Sequence, residues 1–357
     1  MTADQVTDVA ASSLDQMLCP TPGRRMSMRG FDDEFVDIAD YIVRITDRIW
    51  HQRHVEDCRK YYTQDAVIHT LAGDVRGVEA VVAGTHETLK SYPDRYLNPD
   101  NVIWSGNDAD GFYSSHRLTS LMTNLGASVF GPATGKRLRV PAIADCLVRE
   151  NRIVEEWLVR DNMGLARQLG VDIDKAVAAE VARGTDMAGA LRARDRDAVA
   201  QIRASSHNLE AGPLAPNAEP AAFANAVLNC VWRQRDEGRL AGLYDHRARI
   251  VAPAGRNYYG TAEWSRGLSE ILACLDDVCV RLDHVAAIPY LGAGLDIAAR
   301  WSLAARHQGD GIYGPSTAAD IWLLGISHWR VINGRVHDEW TLFDELALMT
   351  QIARARS

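Results

Sequence analysis

Hydrophobic residues change their spacing along the first half of the chain. Over residues 32–62 they recur every three or four positions, which is typical of one buried face of a helix. Residues 77–90 are also predicted to be helical. The remaining hydrophobic runs are short and typical of strands, at residues 66–70, 101–104, 113–123, 137–148 and 152–161. Helices followed by consecutive strands indicate an α+β fold.

The last two predicted strands are separated by a two-residue turn, and such a turn fixes how the strands pair. In a regular hairpin Ala144 lies opposite Trp157, and Asp145 lies opposite Glu156. Side chains alternate between the two faces of a strand. Trp157 and Asp161 are therefore predicted to share one face of the sheet, with Glu156 on the other.

The pattern of the first half recurs in the second half. Asp161 follows Trp157 by the same gap with which Asp344 follows Trp340. Other matches lie upstream, pairing Gly77 with Gly260, Arg117 with Arg300, and Gly131-Pro132 with Gly314-Pro315. A repeat of this length predicts two copies of one domain. We expect an N-terminal arm at 1–30, a first domain at 31–170, a helical segment and linker at 171–219, and a second domain at 220–357.

The composition excludes some classes of partner. The chain has 47 acidic and 39 basic residues and a net charge of −8, whereas nucleic-acid binding needs a basic surface. The hydrophobic runs are too short to span a membrane, and the polar N-terminus is not typical of a secretory signal. None of the six cysteines forms a Cys-x-x-Cys pair, which favours free thiols in the cytoplasm.

Both copies carry residues that resemble one known family. In the second copy these are Arg300-Trp301, His307, Gly309, Tyr313-Gly314-Pro315, Thr317, Gly334-Arg335-Val336, Glu339-Trp340, Asp344 and Gln351. In the first copy they are Arg117, Gly131-Pro132, Thr134-Gly135-Lys136, Asn151-Arg152-Ile153, Glu156-Trp157, Asp161 and Gln168-Leu169-Gly170. Each copy resembles a SnoaL-like domain, one of the small polyketide ester cyclases of the nuclear-transport-factor-2-like superfamily.

The resemblance implies both a fold and a kind of chemistry. The fold is two tandem cone-shaped α+β barrels, each a curved antiparallel sheet wrapped around helices with an apolar pocket (the cystatin-like superfold). The chemistry is cofactor-independent acid/base catalysis, of the cyclase, isomerase, lyase or hydrolase type, on a small apolar organic substrate. Neither a cofactor nor a metal ion is expected. Such domains commonly dimerise through their sheets, so the copies are expected to form an intramolecular pseudo-dimer, with further homo-oligomers left open.

Asp161 and Asp344 are the first candidates for this chemistry. In the resembling cyclases the acidic residue at this position acts as general acid/base. Burial disfavours a charged carboxylate and raises its pKa toward neutrality, which suits proton transfer. The alternative is that each aspartate caps the helix that follows it, because Asp is a preferred N-cap residue.

Histidines are the main difference between the copies. His69 and His116 lie within predicted strands of the first copy and are the predicted partners of Asp161. The second copy has His307 and His328 instead, so its pocket would have a different geometry. A purely structural role for each of these histidines stays open.

The predicted binding residues include one arginine of each copy. Arg117 and Arg300 either anchor a substrate carbonyl or carboxylate, or pair with a buried acid such as Glu156 or Glu339. The walls of the first pocket are predicted to include Trp104, Trp157 and Tyr62.

Three functions are therefore compared. The leading hypothesis is an enzyme that uses Asp161 with His69 or His116. The second is a module that binds a metabolite without turning it over. The third is a pseudo-dimer in which one copy is catalytic and the other is a scaffold. Fold alone does not separate them.

Overall fold

A computed structural model describes residues 25–205, 218–234, 237–291 and 294–356. The chain divides into two units. Unit 1 contains the described residues up to Arg160, with Gln168–Gly170 and Ala286–Leu291, and unit 2 contains the other described residues. Most of the predicted N-terminal arm and of the predicted linker lies outside the described residues.

The described residues form ten α-helices. They are α1 (Ile38–Thr46), α2 (Cys58–Tyr61), α3 (Val78–Ser91), α4 (Asn162–Leu169), α5 (Ile173–Arg183), α6 (Ala188–Ser205), α7 (Pro220–Leu228), α8 (Glu237–Leu243), α9 (Gly260–Leu272) and α10 (Glu345–Arg354). Short 3-10 or π-helical turns lie at Asp47–His51, Val55–Asp57, Thr185–Met187 and Asn229–Gln234. Among the described helices, none is long and apolar enough to cross a membrane.

Among the described residues, each half contributes six strands. In the first half they are β1 (Tyr62–Thr70), β2 (Gly73–Arg76), β3 (Tyr96–Asn107), β4 (Gly111–Thr123), β5 (Arg137–Arg149) and β6 (Arg152–Arg160). In the second half they are β7 (Tyr244–Ala252), β8 (Arg256–Tyr259), β9 (Leu275–Tyr290), β10 (Gly294–His307), β11 (Asp320–Ile332) and β12 (Arg335–Phe343).

The two sheets have the same strand order, β2-β1-β6-β5-β4-β3 and β8-β7-β12-β11-β10-β9. Strands β3 to β6 form an antiparallel meander, whereas β1 runs parallel to β6 and β7 parallel to β12. Both sheets are therefore mixed, and each is accompanied by helices. The predicted α+β class and the tandem duplication are confirmed.

The predicted first helix is interrupted. Helix α1 begins at its N-cap Asp37, whose Oδ1 accepts a hydrogen bond from the Asp40 backbone N–H at 2.7 Å. Its hydrophobic residues are buried in the unit 1 core. The α-helical geometry ends at Thr46 and passes into a π-helical turn, and Arg53 then takes a positive φ of 64°. These local changes break the 32–62 segment into several short helices.

A β-bulge in the last hairpin changes which side chains face inward. The two-residue turn is as predicted, with positive φ at Glu150 (46°) and Asn151 (70°). The register shifts by one residue at Leu147/Val148, so that Asp145 lies opposite Trp157. Cys146 therefore lies opposite Glu156.

The predicted pairing of this hairpin was wrong because a bulge adds one unpaired residue to a strand. Glu156 and Trp157 consequently exchange faces relative to the prediction. The same shift occurs in the second hairpin, between Arg330 and Val331.

Candidate functional site

Unit 1 contains a cavity of about 220 Å³ between its helices and one face of its sheet. An apolar cavity of about 150 Å³ is large enough to hold benzene. The unit 1 cavity therefore accommodates a ring with substituents. Its polar lining residues are Thr46, Trp50, Cys58, Tyr62, Thr70, Thr85, Thr88, Arg95, His116, Cys146, Glu156 and Arg160, among many aliphatic side chains.

Strand alternation decides which residues reach this cavity. On β5 the lining residues are Ala142, Ala144 and Cys146. The bulge places the alternate residues of β6 that begin at Glu156 on the same face. The cavity face of β6 then carries a carboxyl group.

Glu156 and Tyr62 form a hydrogen-bonded pair at the cavity wall. The Tyr62 hydroxyl donates to Glu156 Oε2 at 2.9 Å. The Glu156 residue is only 7% exposed. Burial raises the pKa of this carboxyl above its usual value, although Tyr62 and the positive charge of Arg160 partly oppose the shift. The pair therefore holds a carboxyl group that titrates nearer to neutral pH than an exposed glutamate.

His116 lines the same cavity from β4. It is 2% exposed, and its Nε2 has no hydrogen-bond partner among the described residues. Burial, together with the charge of Arg117, lowers the pKa of His116 to about 4. Its imidazole is therefore neutral at neutral pH and can donate or accept one hydrogen bond at Nε2.

Arg95 is the buried cation of the cavity wall. Its guanidinium donates from Nε and Nη2 to the Ser120 hydroxyl at 3.3 and 3.1 Å. The guanidinium carbon lies 4.4 Å from the centre of the Trp50 ring, in a cation–π contact. Burial, and next the charge of Arg160, lower the pKa of Arg95 to about 9, so it stays protonated at neutral pH.

Unit 2 keeps the tyrosine–glutamate pair but surrounds it with larger side chains. The Tyr244 hydroxyl donates to Glu339 Oε2 at 2.6 Å. By the spacing of the repeat, four cavity residues of unit 1 are replaced by aromatic residues: Val81 by Trp264, Leu118 by Trp301, Cys146 by Trp329 and Arg160 by Phe343. All four aromatic side chains are fully buried.

The second glutamate belongs to an internal hydrogen-bond network. Trp301 Nε1–H donates to the Ser327 hydroxyl at 3.0 Å. That hydroxyl lies 2.7 Å from Thr341 Oγ1, which in turn bonds Glu339 Oε1. Both oxygens of this carboxyl group therefore have protein partners, because Tyr244 bonds the other one.

Asp161 lies in a different environment from Glu156. Its Oδ1 accepts from the N–H groups of Gly164 (2.9 Å) and Ala254 (2.7 Å), and its Oδ2 accepts from Gly255 N–H (2.9 Å). Ala254 and Gly255 both have positive φ, so their consecutive N–H groups converge on the carboxylate as in an anion-binding nest. Burial raises the pKa of Asp161, and these three bonds oppose the shift.

Asp344 also caps the helix that follows it. Its side chain accepts from Ala347 N–H at 3.1 Å, and the Asn162 amide donates to Oδ2 at 2.5 Å. Burial raises the pKa of Asp344 to about 6. The capping geometry is thus present at both aspartates.

His69 and Trp157 lie together on the face of the sheet opposite the cavity, since their neighbours Ile68 and Glu156 line it. Their rings stack with centroids 5.3 Å apart. The His69 nitrogens lie 2.8 Å from Glu155 Oε1 and 3.2 Å from Asp74 Oδ1. The structure therefore does not bring His69 together with His116.

The other predicted residues of the first copy are divided between these environments. Tyr62 and His116 line the cavity. Trp104 packs edge-to-face on Phe112. Arg117 is buried and lies 3.8 Å from a carboxylate oxygen of Asp100.

The predicted residues of the second copy are buried in unit 2. His307 Nδ1 lies 2.9 Å from the Thr317 hydroxyl, and burial lowers the pKa of this histidine. His328 lies opposite Trp340 in the sheet. Arg300 lies on β10, opposite Ile326.

Sequence reasoning missed Glu156 and Arg95 as cavity residues. Glu156 carried a usable signal, because a glutamate and a tyrosine recur in both copies as Glu156 with Tyr62 and Glu339 with Tyr244. Arg95 carried none, since it has no counterpart in the repeat and lies outside every predicted strand.

Comparison with known proteins assigns the family. The model of SnoaL-like polyketide cyclases matches residues 40–169 and 224–352. Wild-type IdmH from Streptomyces antibioticus is 25% identical over 37% of this chain and 98% of its own, with a TM-score of 0.33. AclR from Streptomyces galilaeus (20% identical) and TsrD from Streptomyces laurentii (21%) each cover 38% of this chain and 98% of their own, with TM-scores of 0.33. A search of curated proteins found no match. Since the two matched regions together span more than half of the residues, the chain belongs to the SnoaL-like polyketide cyclase family.

Proposed function

We propose that unit 1 is a cofactor-independent enzyme that moves a proton on a small ring-containing organic substrate, with Glu156 as the acid/base residue. One observation carries the proposal: a buried carboxyl group of raised pKa forms part of the wall of a cavity that can hold a ring. A general base works best when its pKa lies near the working pH.

The proposed step is the abstraction of a proton from a carbon next to a carbonyl group. The Glu156 carboxylate takes the proton, and the electron pair of the broken C–H bond moves to the carbonyl oxygen as an enolate. Tyr62 fixes the carboxylate through its hydrogen bond. In the tautomer protonated at Nε2, neutral His116 donates a hydrogen bond to the enolate oxygen. Return of the proton from Glu156 to another atom of the substrate restores the enzyme.

This assignment replaces Asp161 with Glu156 as the proton carrier. The three backbone N–H groups around Asp161 favour the capping alternative, because they occupy both carboxylate oxygens. His69 is also left out of the proposed site, since both of its ring nitrogens face carboxylates on the other side of the sheet.

We assign unit 2 the role of a scaffold. Its glutamate has protein partners on both oxygens, and aromatic side chains occupy the positions that line the cavity in unit 1. Among the three functions compared at the outset, the pseudo-dimer with one catalytic copy agrees best with these contacts.

The test measures proton exchange directly. Bicyclic ring ketones such as 1-indanone are incubated with the protein in D₂O, and loss of the α-proton signal is followed by proton NMR. Glu156→Gln is expected to slow the enzyme-dependent exchange by about 100- to 10,000-fold, the usual contribution of a general base. Glu339→Gln is the matched control and is expected to leave the rate unchanged.

The pH profile gives a second readout. The exchange rate should rise as Glu156 loses its proton, at a pH above the ordinary range for a glutamate because its pKa is raised. Equal losses of rate in the two Gln variants would contradict the assignment of catalysis to unit 1.

The binding-module alternative predicts a different result. A ring ketone would then bind wild-type protein and Glu156→Gln equally well, and exchange would not exceed the buffer rate in either. That result for all of the ring ketones tested would contradict the proposal that unit 1 is an enzyme.

A further inference from the structure

Arg95 is a buried positive charge with no acidic partner in the described part of the chain. It is 5% exposed, and the titratable groups that act on it are Arg160, Tyr92 and Arg53, with no carboxylate among the described residues. Its Nη1 has no hydrogen-bond partner within the described part of the chain. Its guanidinium group contacts the Ser120 hydroxyl and the Trp50 ring.

Such an arrangement is costly for the protein alone. Removing a guanidinium from water costs several kcal/mol unless a counter-charge compensates. A neutral hydroxyl and an aromatic face offset only part of that cost. Two further arginines, Arg53 and Arg160, add repulsion instead of relief. A bound anion would supply the missing charge.

The position of Arg95 indicates where that anion belongs. Arg95 and Trp50 both line the unit 1 cavity. Arg160, whose charge acts on Arg95, lines it at the exposed end of β6, four residues after Glu156. Four residues of a strand span about 13 Å of backbone, so Arg160 and Glu156 start from different points along the cavity wall, although the charge of Arg160 still acts on the Glu156 carboxyl.

We propose that Arg95 binds a carboxylate group of the substrate, so that unit 1 acts on ring-containing carboxylic acids. The inference rests on the proposed function, because it names the substrate class of the same cavity. Ser120 accepts from Nε and from one hydrogen of Nη2, so the other hydrogen of Nη2 and one of Nη1 lie side by side on the opposite edge and match the two oxygens of a carboxylate. The cavity volume limits the ligand to one or two small rings.

The experiment compares two ligands of equal shape. Indane-2-carboxylate and the neutral indane-2-carboxamide are titrated into the full-length protein by isothermal calorimetry. Wild-type protein is expected to bind the carboxylate about ten- to a hundredfold more tightly, the effect of a hydrogen bond to a charged group. Arg95→Met should abolish that preference, and Arg95→Lys should retain part of it because the charge is kept.

Circular dichroism confirms that each variant is folded, and Arg95→Gln replaces Arg95→Met if the latter is not. Three results would overturn the inference: equal affinity of wild-type protein for both ligands, no binding of either, or a preference that survives in the neutral Arg95 variants. The proposed function is judged separately, because Glu156→Gln should abolish ketone exchange and keep the preference for the carboxylate.

Discussion

The interiors of unit 1 and unit 2 both contain a hydrogen-bonded tyrosine–glutamate pair, but the side chains around the pair differ. In unit 1 the Tyr62–Glu156 pair lies at the wall of a cavity. In unit 2 the Tyr244–Glu339 pair is enclosed by tryptophans and by hydroxyl groups that bond the glutamate. Burial raises the pKa of Glu339 as well, so a buried glutamate of raised pKa is no sign of catalysis by itself. The proposed function therefore rests on the cavity beside Glu156 and not on the pKa of its carboxyl alone.

The two units also differ in the hydrogen bonds made by the polar groups around their buried glutamates. Unit 2 satisfies both carboxyl oxygens internally, which is the condition under which a buried polar network is stable. Both units have buried polar atoms without a hydrogen-bond partner among the described residues, but those at His116 Nε2 and Arg95 Nη1 belong to residues that line the unit 1 cavity. Unpaired polar groups lower stability and leave donors ready for a ligand.

The largest expected effect on stability comes from removing a buried aromatic side chain from the interior of unit 2. Trp301→Ala should lower the free energy of unfolding by about 3–5 kcal/mol, because it removes a fully buried indole and a hydrogen bond to Ser327. Leu118→Ala, at the matching position of unit 1, should cost about 2 kcal/mol because this side chain already borders a cavity. Urea unfolding measures both. Equal costs would mean that the two interiors are packed alike.

A second prediction concerns the aspartate cap of the last helix. The pKa of Asp344 is raised to about 6 in the folded state from an ordinary 3.8, so folding favours its protonated form. Its contribution to stability is present below about pH 4 and is lost as the pH rises through 6, by about 3 kcal/mol. Asp344→Asn keeps a capping oxygen and should flatten this decline in urea unfolding between pH 4 and 7. An unchanged slope would contradict the assignment.

A third prediction concerns a substitution that fills the unit 1 cavity, the opposite of Trp301→Ala in unit 2. Leu118→Trp copies Trp301 into the cavity and should weaken binding of indane-2-carboxylate at least tenfold by occupying its space. Overpacking should cost about 1–3 kcal/mol of stability. Leu118→Met, which conserves volume, is the control and should keep the affinity near the wild-type value. Undiminished affinity in Leu118→Trp would place the ligand outside this cavity.

The smallest effect tests the role that the copies share. Asp161→Asn leaves only one acceptor oxygen for three backbone N–H groups, so stability should fall by about 1–3 kcal/mol. Ketone exchange should continue at the wild-type rate in the folded protein. If the exchange rate falls as far as in Glu156→Gln, Asp161 also takes part in proton transfer, and the assignment of that role to Glu156 alone is wrong.

The fold could be predicted from the sequence because its signals are local or repeated. Short hydrophobic runs located the strands, and the two-residue turn at Glu150-Asn151 was visible as a short polar break. The recurrence of Trp157 and Asp161 as Trp340 and Asp344 gave the duplication. Each of these depends on neighbours along the chain.

The site could be predicted only in part because it depends on register. Tyr62, a predicted pocket wall, and His116, a predicted partner of Asp161, both line the cavity. Trp157 was expected on the inner face, but the bulge at Leu147/Val148 gives that position to Glu156. A bulge depends on how two strands twist together, and a single sequence contains no clear mark of it. Arg95 could not be predicted for another reason. Its lack of an acidic partner among the described residues depends on the three-dimensional structure and leaves no pattern in the sequence.

The bulge carries one more consequence, for ancestry. It falls at Leu147/Val148 in the first hairpin and at the repeat-equivalent Arg330/Val331 in the second. Because both copies have it at the same position, we infer that it was present in the single domain that was duplicated. That ancestor already turned its tyrosine–glutamate pair inward, and the two descendants then diverged by changing the size of the side chains around an inherited carboxyl group.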